Sequence, residues 1–430
     1  MNASSDIIDV AIVGAGLSGL MAARECAKAG LRTVIFEKNP RVGMLHHPCG
    51  CMMSPVDGFI TFRETREGAW FEQAGIMIPD DMIIDHPKNM YFMTPTGCRF
   101  GMQITKGEKA SLVFQVDKQA MLDLLKREAV ASGAIIKTGC RISGLLRENG
   151  EIVGVISPTR GSFPSRLVID ASGLSRKLSQ DAGLFEDLPT GYLTMVARTL
   201  KGIAIPEHLR GQAAVFFPGG SELPSLAIIF HSMGENDGML LLTVRHETPE
   251  WPAHLPSIVT LLESTILKVN WMRQMVRKGK TVGLQACRMV LQRPSRLIIG
   301  NFIGTGDAIA PLGHSSIAIA MLLGRSAGTT AIEMLQAKDV RSRSKASNRY
   351  TGWIESKIFQ GVEFEANMIT GIMDLDKGEL ERLCRTFSGI NLGAFFIGSR
   401  WQRARIILRM LFSLKVWRNF KLIRRVFSFS

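Results

Sequence analysis

The chain has 430 residues, 46% of them hydrophobic, and 52 Lys and Arg against 38 Asp and Glu give a formal net charge of +14. A chain of this length buries a large core and should form two or three domains, and its apolar content excludes a disordered polymer. No stretch carries the roughly 20 apolar residues of a membrane-spanning helix: 308–324 is uncharged but interrupted by Pro311, Gly313, His314, Ser315 and Ser316.

The opening MNASSDIIDV lacks the basic start and apolar run of a signal peptide. Seven cysteines make an odd count without framework spacing, which reads as a reducing, cytoplasmic setting. The next stretch, DVAIVGAGLSGLMAARECAKAGLRTVIFEKN, is the most informative. A buried-strand run at 10–13 leads into Gly14, Gly16 and Gly19, spaced G-x-G-x-x-G. A helical pattern over 17–29 stops at Gly30, and a second strand at 33–36 ends in Glu37. Gly14 permits the tight turn, Gly16 lets a pyrophosphate approach the backbone, and Gly19 lets helix and strand pack closely. The helix start offers N–H groups and a positive dipole end to phosphates. Glu37 is placed to accept both ribose hydroxyls of an adenosine, and the absence of a nearby basic pair argues for FAD or NAD over NADP. Ala15, Ser18 and Lys38 share this turn and strand end as candidate contacts.

Residues 46–54 read HHPCGCMMS. Four zinc ligands from His46, His47, Cys49 and Cys51 would have to converge from six positions with no second ligand pair elsewhere, so no metal site is expected. A disulfide across i and i+2 is strained. A small polar loop with incidental thiols and a loop that presents Cys49 to chemistry both remain open on spacing alone.

Further along, VFQVDKQAMLDLLKREAVASGAIIKTG reads as a helix followed by a strand. RLVIDASGLSRKL reads as a strand ending at Asp170 and Gly173. From 178 to 285, YLTMVART, AAVFFPGG, SLAIIFHS and GMLLLTVRH suggest an antiparallel sheet. The run SIVTLLESTILKVNWMRQMV should pack outside it as helix, with Trp271 and the methionines in the core. RLIIGNFIGTGDAIAPLGHSSIAIAMLLGRSAG, residues 296–328, then gives a strand, Gly306-Asp307, and a helix opening near Gly313. A strand-end carboxylate at Asp307 can hold a ribityl hydroxyl, although alone it reads equally as a helix cap, and His314 as an incidental loop histidine.

From Arg382 to the end no Asp or Glu occurs. Val416, Phe420, Ile423 and Phe427 recur at helical spacing opposite Lys415, Arg418, Lys421 and Arg425, with Trp401 and Trp417 as candidate interfacial anchors. The segment 400–427 is therefore a candidate peripheral membrane contact or a helix docked on the protein's own core. Nucleic acid is not expected as a partner, because the aromatics alternate with aliphatics and form no stacking platform.

Together these segments resemble the FAD-dependent oxidoreductases that share the fold of the aromatic hydroxylases. The resemblance runs over roughly the first 350 residues. It implies an α/β chain with a Rossmann-type FAD-binding domain of the glutathione reductase and aromatic hydroxylase kind, an inserted antiparallel-sheet substrate domain and a helical C-terminal region. The boundaries expected are 1–177 for the first part of the FAD domain, with a substrate-side insertion near 60–115. The substrate domain spans 178–285, the second part of the FAD domain 286–345, and the helical region 346–430. Lys118 stands where that group has Arg.

Within the group, the geranylgeranyl reductase branch resembles this chain most: Arg41-Val42-Gly43 follows the acid, then Cys49-Gly50, then GDA, Pro311 and AMLLGRSAG. That branch's Y-x-W-x-F-P strand is replaced by Leu226, Ile228, Phe230 and His231, of which only Phe230 matches. Gly313, His314, Ser315 and Ser316 fill its glycine-rich loop beside the flavin.

The resemblance implies addition of hydrogen across C=C bonds of an isoprenoid-like substrate, a hydride coming from reduced FAD and a proton from Cys49, His314 or water. With no second G-x-G-x-x-G, NADPH, NADH or a small electron carrier would visit transiently as reductant. A flavin monooxygenase of an apolar substrate is the first alternative, and a non-catalytic flavoprotein the second.

Overall fold

The structure is a computed structural model that describes residues 7–44, 47–55, 59–103, 113–218, 226–309, 317–359, 368, 371–390 and 400–427. The chain forms two compact units, each assembled from three stretches. The first takes Met1–Leu45, Lys118–Thr190 and Val290–Val362, the second His46–Asp117, Gly191–Met289 and Glu363–Ser430.

The first unit opens on β1 (Ile8–Val13), α1 (Leu17–Lys28) and β2 (Thr33–Phe36). Its strands are almost wholly buried aliphatic runs, as a parallel sheet covered on both faces requires. β2 runs parallel to β1, with Ile135–Lys137 parallel on its far side. On the other flank of β1 lies Gly161–Asp170, with Asp170 opposite Val13, and Phe302–Gly304 follows, with Gly304 opposite Asp170. The carboxyl ends of these strands share one edge, the place where open α/β sheets hold ligands.

The strand expected ahead of Gly306-Asp307 is a hairpin of two short strands. Ile298–Ile299 turns back at Gly300, which has φ +55°, and pairs antiparallel with Phe302–Gly304. A Gly-Asn pair favours such a tight hairpin, so the strand that joins the parallel sheet is the one after it. Buried Tyr350, on the helix Val340–Ile354, donates to the Gly304 carbonyl at 2.6 Å and holds this strand end.

The second unit is built on a seven-stranded sheet in the order Lys280–Leu291, Gly191–Lys201, Asp237–His246, Leu226–Ser232, Ala213–Phe216, Asn89–Met93, Arg99–Gln103. The stretch 60–115 thus supplies two strands of the same sheet as 191–291. The pair Ala213–Phe216 and Asn89–Met93 is parallel, so the sheet is mixed rather than purely antiparallel.

One face carries Leu226, Ile228, Phe230, Leu240, Leu242 and Val244 beneath Leu261, Leu262, Ile266, Met272 and Met275 of the helices Ile258–Lys268 and Asn270–Val276. Trp271 packs against this core, edge-on to Phe216. The opposite face carries Phe92, Phe100, Val215 and Ala227 against C-terminal helices.

Those helices are Lys377–Phe387, Arg400–Leu411, Leu414–Arg418 and Phe420–Phe427. The basic tail is therefore three short helices, not one long amphipathic one. Val416, Ile423 and Val426 are buried with Leu383 and Phe387, so much of the predicted apolar stripe faces the protein's own core. Phe420 departs from it and is exposed, and the Phe427 side chain lies outside the described residues. Asn419, between the last two helices, donates to Thr386 Oγ1 at 2.9 Å. A second apolar set stays outward: Trp401, Phe412 and Leu414 are 87%, 85% and 76% exposed, and Trp417 and Phe420, stacked on each other, are exposed too. Among the described residues, no helix is long and apolar enough to cross a membrane.

Candidate functional site: a dinucleotide cradle and a thiol loop

At the carboxyl edge of the first unit's sheet, successive strand ends are tied by backbone hydrogen bonds. Gly14 N–H donates to Phe36 O at 2.9 Å, Ala171 N–H to Val13 O at 2.9 Å, and Thr305 N–H to Asp170 O at 2.9 Å. Gly14 has φ +101°, and a Cβ there would strike the Ala171 carbonyl. A Cβ on Gly19 would strike the Gly14 carbonyl. These two glycines are required by the protein itself. Gly16 is different: a Cβ there would meet no described residue within 4 Å. The room above Gly16 suits an approaching pyrophosphate, and no side chain caps the start of α1.

Glu37 is buried and accepts Ala15 N–H on Oε2 at 2.9 Å and Asn39 N–H on Oε1 at 2.9 Å. Each oxygen keeps further acceptor capacity, so the carboxylate is oriented and still able to take ribose hydroxyls. The open backbone at Gly16, the uncapped helix start and the fixed acid at the end of β2 fit the adenosine diphosphate half of a dinucleotide.

The remaining predicted contacts fall into four groups. Gly306, Asp307 and Gly173 lie at the same edge, where the turns Gly173–Ser175 and Gly306–Ala308 touch, and Asp307 is half-buried. Ser18 and Asp170 are placed on structural duty. Ser18 donates to Ala320 O at 2.7 Å, fastening α1 to the helix Ile317–Gln336. Asp170 is fully buried and accepts Ser172 N–H at 3.0 Å and Ser179 Oγ–H at 2.6 Å. Burial pushes its carboxyl above the usual range against the pull of those bonds, so it supports the turn rather than reaching outward. Lys38 and Arg41 are exposed, and Lys118 is buried at the start of α2 (Lys118–Ala131). Pro311, Gly313, His314, Ser315 and Ser316 lie outside the described residues.

One residue carried no role in the sequence. Arg176, at φ +51°, buries its guanidinium over the Phe185 ring and donates to Val290 O at 3.2 Å and Gln292 O at 2.9 Å. Burial lowers its pKa to about 10 despite the nearby Asp307 carboxylate, and among the described residues its Nε has no hydrogen-bond partner. An arginine right after the Gly-x-Ser turn was the available signal.

In the second unit, Cys49, Gly50 and Cys51 form a tight turn. Cys51 sits at φ +55°, its N–H donates to Cys49 Sγ at 3.4 Å, and its own thiol donates to Cys49 O at 3.4 Å. Val116 N–H fixes Cys51 O at 2.9 Å, and no disulfide joins the two thiols. His46 lies outside the described residues, and among the described ones no three His, Cys, Asp or Glu side chains gather as a metal site.

The four residues assigned to a substrate wall do not share a face. Leu226, Ile228 and Phe230 are locked in the core beneath the helices of 258–276. They are closed to a ligand on that side. His231 alternates to the opposite face, between Ala213 and Met239.

The fold and the cradle define the class: this is the architecture of the FAD-dependent oxidoreductases, with a Rossmann-type dinucleotide domain. Residues 12–72 match the NAD(P)-binding Rossmann-like domain family, and residues 91–202 match the tryptophan halogenase family.

The chain is 24% identical over 348 residues to digeranylgeranylglycerophospholipid reductase 1 of Methanopyrus kandleri, covering 77% of this chain and 82% of that one. Among solved structures it resembles a geranylgeranyl bacteriochlorophyll reductase-like protein from Thermoplasma acidophilum. That likeness has a TM-score of 0.77 at 19% identity and covers 97% of this chain and 99% of the other. It also resembles the flavin-dependent brominase Bmp2, with a TM-score of 0.65 at 15% identity over 94% and 98% of the two chains.

Proposed function

We propose that the chain is an FAD-dependent reductase that adds hydrogen across C=C bonds of an isoprenoid lipid chain. The observation that carries this reading is the likeness to the digeranylgeranyl lipid reductase, which extends through both units rather than the dinucleotide domain alone. Gly16 and the start of α1 would hold the pyrophosphate, Glu37 the adenosine ribose, and Asp307 the ribityl chain. Bound and reduced, FAD supplies a hydride to one alkene carbon. The other carbon needs a proton, and Cys49 is the thiol assigned to deliver it, with Cys51 N–H steadying the sulfur once the proton has left. The single dinucleotide motif supports a reductant that visits transiently, NADPH, NADH or a small electron carrier.

The outward Trp401, Phe412, Leu414 and Trp417, set among exposed Arg405, Arg409, Lys415 and Arg418, support peripheral contact with an anionic bilayer, where such a substrate resides. Each basic group near that surface contributes about 1 kcal/mol.

The test is reoxidation of dithionite-reduced, flavin-loaded protein by a digeranylgeranyl lipid without oxygen. Cys49→Ala should keep the flavin and slow reoxidation by about a hundredfold. An unchanged rate would remove Cys49 from the chemistry. Monooxygenation is the second reading, favoured by the brominase likeness and the halogenase match over 91–202. It requires oxygen consumption coupled to product.

A further inference from the structure

His231 lies on the strand Leu226–Ser232, on the face opposite its core-packed neighbours, and is 5% exposed. Among the described residues its buried Nδ1 has no hydrogen-bond partner. An unpartnered buried polar atom costs about 1–3 kcal/mol, so an aliphatic side chain would serve packing better at this place. What lies on the ring is the thiol turn. A Cβ built on Gly50 would fall 2.9 Å from His231 Nε2 and 3.2 Å from Cε1. Gly50 therefore rests on the imidazole with no space for a side chain. The next residue, Cys51, is pinned by Val116 and sends its N–H back to Cys49 Sγ.

We propose that His231 is the positioning residue of the Cys49 thiol: the imidazole is the polar seat on which Gly50 rests, and the turn seated there sets the direction of the sulfur. Burial lowers the pKa of this histidine to about 4, so the seat carries no charge at neutral pH and places no cation beside the thiol. The assignment rests on the reading of Cys49 as the proton-delivering group, and its test is independent of any substrate.

The experiment is iodoacetamide labelling of the full-length, FAD-loaded protein. Peptide mass spectrometry reads Cys49, and Cys98 in the same chain serves as reference. His231→Leu should change the Cys49 rate relative to Cys98 by at least about threefold, while His231→Gln, which keeps a hydrogen-bonding head, stays within about twofold of the parent. Gly50→Ala should shift the rate as well. Adding His231→Ala to it vacates the space and should return the rate toward the parent, a non-additive pair.

Equal rates in His231→Leu and His231→Gln, or strictly additive effects in the pair, would overturn the assignment. If Gly50→Ala does not fold, the Leu and Gln comparison decides alone. The expected labelling pattern with no lipid-driven flavin reoxidation would sink the reductase reading and leave the positioning role standing. The reverse pattern would sink only the positioning role.

Discussion

Ala15 donates its backbone N–H to Glu37 Oε2 at 2.9 Å, joining the glycine turn after β1 to the acid that ends β2. The turn proposed for the phosphates and the carboxylate proposed for the ribose are thereby set as one piece. Glu37→Ala removes a charged acceptor from two backbone donors and should weaken FAD binding by about tenfold to a hundredfold. Titration of the flavin-free protein with FAD checks this. An unchanged affinity would separate Glu37 from the cofactor.

The three glycines of the motif predict different failures. Gly16 has φ −81° and no described residue where a Cβ would go, so Gly16→Ala strains nothing among the described residues. Its thermal midpoint without flavin should hold or rise slightly, by less than about 1 kcal/mol of stability, while FAD binding is lost. Gly19→Ala drives a Cβ into the Gly14 carbonyl and should cost stability with or without flavin. Equal behaviour of the two variants would contradict the cradle.

Acid should weaken the fold through His231. Its folded pKa is lowered by burial from 6.5 to about 4. Between those values the unfolded chain holds a proton that the folded chain refuses, so stability falls as pH falls through that window. The loss is up to about 3 kcal/mol. Denaturant unfolding of the parent and His231→Gln at several pH values measures it. The variant should show the shallower acid slope.

The tail separates an inward apolar set from an outward one. Ile423→Ala opens the core beside Leu383 and Phe387 and should cost about 2–4 kcal/mol. Replacing Trp401, Phe412 and Trp417 together by Ser should leave the thermal midpoint nearly unchanged and cut binding to vesicles containing anionic lipid. Retained vesicle binding would contradict the bilayer contact.

The cradle was legible in the sequence because local spacing encodes it: Gly14, Gly16, Gly19 and Glu37 all lie within one strand-helix-strand unit. The strand ahead of Gly306-Asp307 was legible but its division was not, because Ile298 and Ile299 are as apolar as Phe302 and Ile303, and only the turn at Gly300 separates them. The face of Leu226–Ser232 was not legible for a related reason. Every residue from Leu226 to Phe230 is apolar, so the run has no alternation to show which side meets the helices of 258–276. The pairing of Gly50 with His231 is long-range and left no local trace at all. In the tail, helical spacing found the buried Val416 and Ile423. It could not see the breaks near Ser413 and Asn419 that turn Trp417 and Phe420 outward.

The most direct test of the central claim is the mass of the product. Flavin-loaded protein, reduced with dithionite and given a digeranylgeranyl lipid without oxygen, is predicted to return lipid heavier by pairs of hydrogen atoms. A product heavier by one oxygen atom, formed only in air with a nicotinamide donor, would contradict the reductase and establish a monooxygenase.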